Sequence, residues 1–144
     1  MKPIIYKITD PPPSLNATKR IVMRGKTAMM ADTRAYRDWF KAASLELLTQ
    51  TARLPDPCYW SSEILIPASK TKADLDNLPK AIHDLLVKSE RVPDDRYMVG
   101  LRVKFWNGGH VAVAVKQEEL AKWAPIKNPS RSTLELLQKG GDDA

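Results

Sequence analysis

The sequence predicts an α+β fold: a small mixed β-sheet with two main α-helices packed on it. Three observations carry that expectation. Stretches with apolar residues at alternate positions occur at residues 2–9, 58–67, 96–106 and 111–115, the period of strands with one buried face. Two longer stretches, residues 33–52 and 76–89, space their apolar residues at the helical period. The segments then follow one another as strand, basic loop, helix, strand, acidic helix and two-strand hairpin.

The first strand, residues 2–9, ends at Pro11-Pro12-Pro13-Ser14, because proline cannot donate to a sheet ladder. Leu15 to Met30 reads as a loop or irregular hairpin around Gly25. Asp32 is placed to cap a helix in which Tyr36, Phe40, Ala43, Leu47 and Leu48 share a face; Pro55 and Pro57 stop it. In residues 58–67, Trp60, Ser62, Ile64 and Ile66 point one way. Asp76 is placed to cap a helix running to about Ser89, with Pro79 in the first turn, where its missing N–H costs nothing. Val99, Leu101, Val103 and Phe105 then alternate with Arg102 and Lys104, a strand between core and solvent. Asn107-Gly108 signals a hairpin, with Val111, Val113 and Val115 on the returning strand. Residues 117–144 read as an extension beyond a domain of residues 1–116, either partly disordered or a short helix around Glu118–Ala124, Pro125 and Pro129, then a helical turn at Thr133–Lys139.

At 144 residues the chain is most simply one domain with a sizeable core. Lysine and arginine total 23 against 17 acidic residues, a net charge of +6, which favours an acidic partner and most often nucleic acid. The single cysteine, Cys58, cannot form an intramolecular disulfide, which fits a reducing cytoplasm; it reads as a core thiol, and no histidine–cysteine spacing suggests zinc. The amino terminus lacks the apolar run of a signal peptide, and no stretch reaches membrane-spanning length. The expectation is a soluble, intracellular protein.

Against this basic background, Asp74-Leu75-Asp76-Asn77-Leu78-Pro79-Lys80 concentrates carboxylates and a lysine, and Asp94-Asp95 follows shortly after. On extended chain, carboxylates two apart project from the same face, with Leu75 turned into the core. Such a pair can hold a hard cation such as Mg²⁺, which takes oxygen ligands. Projected at 100° per residue, Leu78, Ala81, Ile82, Leu85 and Leu86 fall on one side of the helix, and Asp76, Lys80, His83 and Asp84 on the other. By itself Asp76–Lys80–Asp84 is a surface ladder worth roughly 0.2–0.5 kcal/mol per pair. By itself Asp94-Asp95 is a solvated turn after Pro93. The chain must nevertheless return to the sheet after the helix, which brings a strand opening at Asp95 back beside Asp74. Carboxylates gathered in a basic protein point to metal-assisted chemistry on a polyanion.

These residues resemble the RusA family of Holliday-junction resolvases. The likeness rests on Asp-Leu-Asp-Asn-Leu-x-Lys, the mid-helix Asp84 and the Asp-Asp before a strand. It extends back through Pro12-Pro13-Ser14 and Asn16, the Arg24-Gly25-Lys26 turn and Ala35-Tyr36-Arg37-Asp38, covering about residues 5–115. The family's glycine near the end of the acidic helix is absent, with Lys88-Ser89-Glu90-Arg91 in its place. The resemblance implies a RusA-like fold and a small homodimeric, Mg²⁺-dependent endonuclease, Mn²⁺ being a possible substitute, that nicks opposing strands of a four-way DNA junction. It implies Asp74, Asp76 and Asp95 as metal-binding catalytic carboxylates and Lys80 as the essential lysine. Lys80 would contact the scissile phosphate or orient the water, while one or two metals remain open. It also implies a bacterial cytoplasm, with host or phage as the source.

DNA contacts are expected from Lys19, Arg20, Arg24 and Lys26 in the early loop and from Lys70 and Lys72 before the motif. Asp94 is expected to point away, as a cap or as a support behind the metal-binding carboxylates, and His83 to lie on the polar face, in a supporting part or in none. Two other readings stand beside the resolvase: a RusA-like nuclease acting on flaps or single strands, and a catalytically silent DNA-binding module. Trp39, Trp60, Trp106 and Trp123 either stack on unpaired bases or are buried. For the dimer surface, the expectation falls on the early strand and the Trp106 hairpin, through Ile4, Tyr6 and Trp106.

Overall fold

In the computed structural model, residues 2–13, 19–24 and 27–119 are described, with residues 19–24 and 27–32 described as strand backbone only. The elements are β1 (Ile4–Ile8), β2 (Lys19–Arg24), β3 (Thr27–Asp32), α1 (Arg34–Leu47), β4 (Tyr59–Pro67), α2 (Pro79–Lys88), β5 (Met98–Trp106) and β6 (Val111–Glu118). The main sheet has the order β1-β6-β4-β5, and β2 pairs with β3 as a separate two-stranded sheet. β4 and β5 are parallel and the other pairs antiparallel, so the sheet is mixed and the α+β expectation holds.

The period-two pattern is realised in the core. Tyr6 and Ile8 from β1, Trp60, Ile64 and Ile66 from β4, and Val111, Val113 and Val115 from β6 are buried. They form one cluster with Tyr36, Trp39, Ala43 and Leu47 of α1 and Ala81, Ile82, Leu85 and Leu86 of α2. Burying each large aliphatic side chain contributes roughly 1.5–3 kcal/mol.

Several local expectations change. The region expected as a loop or irregular hairpin contains the regular β2–β3 ladder, from Lys19 opposite Asp32 to Arg24 opposite Thr27. Asp32 therefore ends a strand, and the α1 cap is Thr33, whose Oγ1 accepts from Tyr36 N at 3.3 Å. α1 stops at Leu47, ahead of the prolines, because its end is claimed by tertiary partners. Arg91 donates from its guanidinium to the carbonyls of Leu47 (2.9 Å) and Gln50 (2.8 Å). Gln50 in turn accepts from Lys7 N at 2.7 Å and donates to Lys7 O at 2.8 Å.

The expected β5–β6 hairpin does not form. The two strands sit on opposite sides of β4, with residues 107–110 joining them. Three fully buried valines require β6 to lie inside the sheet, whereas Arg102 and Lys104 suit β5 to an edge. Gly108 serves a close approach instead: a Cβ there would lie 2.2 Å from the Trp106 ring, whose Nε1 donates to His110 O at 2.9 Å. β6 continues to Glu118, where a helix was expected to begin; the rest of the proposed extension, with Trp123, lies outside the described residues.

Candidate active site

The chain leaves β4 at Pro67, and the motif falls in the connection that leads to α2. Asp74 has extended backbone but Asp76 does not, so the two are not alternate positions of one strand. Residues 75–77 form a single 3₁₀ turn, which Asp74 precedes and whose backbone carbonyl accepts from Asn77 N at 3.0 Å. Asp76 is inside that turn, so it does not cap α2; the helix begins with Pro79 after Leu78, without a side-chain cap. Asn77 and the proline fold this stretch locally, since proline is pre-set for a first helical turn and has no N–H to satisfy there.

Asp95 arrives from the other side. It opens a short 3₁₀ turn, residues 95–97, immediately before β5. Asp94 caps that turn by accepting from Arg96 N at 3.0 Å. Lys80, one residue into α2, donates to Asp95 Oδ2 at 2.7 Å and lies 3.2 Å from Asp84 Oδ1. The ammonium thus ties the head of α2 to the start of β5. Its hydrogen bond to Asp95, and next that to Asp84, push the Lys80 pKa up. The same Lys80 bond is the main reason that Asp95 is held below the ordinary carboxylate value.

Asp76, Lys80, His83 and Asp95 line one cavity of about 520 Å³, with Leu75, Met98, Leu101 and Val103 as its apolar wall. Asp74 does not line it. Among the described residues, no group of three or more carboxylate, histidine or cysteine side chains forms a metal cage. The donors present nonetheless fit Mg²⁺, which is usually held by one or two carboxylates together with water and substrate phosphate. No hydrogen bond or ion pair joins the exposed Asp74 or Asp76 carboxylates to another described residue, so their oxygens are available.

His83 departs most from expectation. It is 3% exposed rather than on a solvated face, and burial lowers its pKa to about 4. A helical projection assumes one covered side, but β4 reaches this flank of α2 as well, through Ser62 and Trp60. His83 Nε2 and Ser62 Oγ are hydrogen-bonded at 3.0 Å, and the imidazole meets Trp60 edge to face at 5.5 Å. The signal for this was Ser62 itself: a hydroxyl in a buried row of Trp60, Ile64 and Ile66 requires a partner.

The basic candidates are dispersed. Lys19, Arg20 and Arg24 belong to β2, and Lys26 lies outside the described residues. Lys70 is anchored, donating to Thr9 O at 3.1 Å and lying 3.4 Å from Asp10 Oδ1. Lys72 is exposed and borders, with Lys70, Trp39 and Pro11 to Pro13, a second cavity of about 690 Å³. Of the tryptophans, Trp39 and Trp60 are buried and Trp106 is half-buried. Cys58 is half-buried against the core. No helix among the described residues is long and apolar enough to cross a membrane.

Residues 10–116 match the family model described as Endodeoxyribonuclease RusA, a span that contains the motif, both helices and most of the main sheet. No curated protein matches the chain. The chain belongs to the RusA endodeoxyribonuclease family, and it is a nuclease that hydrolyses phosphodiester bonds.

Proposed function

We propose that this nuclease acts as a homodimer that resolves four-way DNA junctions by paired nicks, with Mg²⁺ as cofactor, in the cytoplasm of a bacterial cell. One observation supports the reading above all: Asp76, Lys80 and Asp95 face one cavity at the junction of α2 and β5, inside the family match. Asp76 and Asp95, with Asp74 just ahead of the 75–77 turn, would hold the metal, Mn²⁺ being an alternative ion. When bound, the metal supplies a water of lowered pKa and charge neutralisation at the phosphate.

The chain's own groups do the rest. Lys80 is a protonated donor held between Asp84 and Asp95. It is therefore pre-placed beside the phosphate site, where its charge stabilises the negative charge that grows during P–O cleavage. Asp84 and Asp95 keep it from wandering on its four-carbon stem. Lys70, Lys72 and the basic residues of β2, with Lys26 between the strands, would contact the DNA backbone and set affinity rather than sequence preference.

A labelled four-way junction, a matched linear duplex and a flap, each incubated with Mg²⁺ or with EDTA, test the proposal. Symmetric nicks in the junction alone, lost in EDTA, are expected. Preference for the flap would move the substrate to single-strand branches, and binding without cleavage of any substrate in Mg²⁺ or Mn²⁺ would leave a silent binding module.

A further inference from the structure

Lys80 and Asp95 meet at 2.7 Å although they come from different elements, and three residues beneath them belong to neither the metal set nor the DNA contacts. Ser62 and Trp60 lie two apart on β4, and both are buried, at 5% and 0% exposed. His83 bonds Ser62 and packs edge to face on Trp60, with the rings at 86°. Trp60 Nε1 donates to the carbonyl of Asp94 at 3.3 Å. The contacts close a ring: Lys80 to His83 along α2, His83 to Ser62 and Trp60, Trp60 to Asp94, and Asp95 back to Lys80.

We infer that His83, seated by Ser62 and Trp60, is a positioning residue that sets the Lys80–Asp95 pair. The inference rests on the resolvase reading for its chemistry and on the ring of contacts for its geometry. Lys80 and His83 are three apart on α2, so they are neighbours on the same side of the helix. The depth at which the imidazole seats on β4 therefore fixes where the ammonium emerges. Trp60 similarly holds the carbonyl that precedes Asp95. Filling the volume is not enough, because a phenyl ring at 83 would leave the Ser62 hydroxyl buried without its partner. Displacements of about 1 Å at groups aligned for reaction carry large rate penalties, which gives these buried residues leverage over the cavity above them.

The test uses the full chain with His83→Phe, His83→Gln and Ser62→Ala. Three quantities are measured: single-turnover cleavage of a four-way junction at saturating Mg²⁺, junction affinity in EDTA, and hydrogen exchange of the Trp60 indole proton without metal or DNA. His83→Phe is expected to slow cleavage about 10-fold or more, with affinity within about twofold, and to speed Trp60 indole exchange. His83→Gln, which keeps a polar group able to reach Ser62, should recover most of both. Ser62→Ala should reproduce the Phe phenotype and add nothing to it in the double variant. Should His83→Phe fail to fold, the Ser62→Ala and Gln variants decide alone. Wild-type cleavage with unchanged indole exchange, or a Gln variant no better than Phe, overturns the inference. A wild-type protein that cuts no junction overturns the resolvase reading instead, while indole exchange still decides the positioning role.

Discussion

At the scale of single residues, the chemistry turns on an ammonium with two carboxylate partners. Lys80 gains from both Asp84 and Asp95, and each partly exposed pair adds little stability, so the arrangement is better explained by placement than by folding energy. Under the proposed assignment, Lys80→Ala should slow single-turnover cleavage by about 10²–10³-fold, the loss typical of removing one donor to a developing negative charge. Junction affinity should fall only modestly, because one cation among many contributes one step of the salt dependence. Asp76→Asn should abolish cleavage while binding survives or tightens, since a negative charge near phosphate is removed. Loss of binding together with cleavage in a folded variant would count against both roles. His83 gives a separate prediction in pH. Its folded pKa of about 4 lies below its ordinary value of 6.5, so the unfolded chain takes the proton first. That contribution to stability is complete above pH 6.5 and is lost as the pH falls towards 4, by about 3 kcal/mol in total. Urea midpoints between pH 7 and 4 should show the slope in the wild type and a flatter one in His83→Phe. The Asp95 effect runs in the same direction but belongs below the ordinary carboxylate value, so it does not mask the histidine window. The acidic motif was legible in the sequence because charge clusters stand out. Its local backbone was not, since Asp-Leu-Asp has the same spacing on a strand and in a 3₁₀ turn.

At the scale of elements, α2 ends in a way that its sequence disguises. Arg91 N donates to Leu86 O at 2.9 Å and Glu90 N to Val87 O at 3.0 Å, the bond pair of a Schellman motif. The residue that must turn left-handed is Glu90, at φ 58°. Glycine is the usual occupant, and its absence from Lys88-Ser89-Glu90-Arg91 was visible in the sequence without revealing that the turn survives. It survives because Arg91, bonded to Ser89, Gln50 and Leu47 carbonyls, pins the exit of α2 to the end of α1. The left-handed conformation costs a side-chain-bearing residue ~1–2 kcal/mol, against ~0.5–1 kcal/mol of extra chain entropy for glycine. Glu90→Gly should therefore stabilise the protein by about 0.5–1 kcal/mol, read as a higher urea midpoint at unchanged slope. A lower midpoint would mean that the glutamate side chain contributes an interaction outweighing the strain. Strand order is the other element-scale lesson. Asn107-Gly108 between two alternating runs gives the pattern of a tight hairpin, yet β4 already presents two edges. The burial of Val111, Val113 and Val115 sends β6 to the inner one. Local spacing cannot report which neighbour a strand will choose.

At the scale of the whole molecule, the two outer strands of the main sheet are treated differently. β1 is partly closed off by the end of α1 and the residues after it: Lys7 N donates to Gln50 and Thr9 N donates to Glu46 Oε2 at 2.8 Å, so side chains occupy the outward amides of Lys7 and Thr9. Tyr6, expected at an interface, is instead fully buried with its hydroxyl on Ala52 O, and burial pushes its pKa up to about 12. Tyr6 is thus committed to the monomer, whereas Ile5 of the same strand remains exposed. β5 differs. No other described strand pairs with its outer edge, and Leu101 and Phe105 remain 46% and 44% exposed, although they lie on the same face as the buried Ile64 and Ile66. An open edge with apolar side chains is a template for pairing, and the charged Arg102 and Lys104 only partly blunt it. A second copy set antiparallel along β5 would extend the sheet about a two-fold axis and bring two cavities near that axis, because Leu101 and Val103 also line the cavity. The proposed dimer is therefore predicted to form through β5. Phe105→Glu, a change at an already exposed position, should leave the fold intact by circular dichroism. It should turn a dimer into a monomer in sedimentation at micromolar protein. On a four-way junction, the variant should give single nicks in place of paired ones. A wild-type chain that stays monomeric even on junction DNA would remove paired cleavage altogether. A Phe105→Glu chain that remains dimeric would move the interface to another surface.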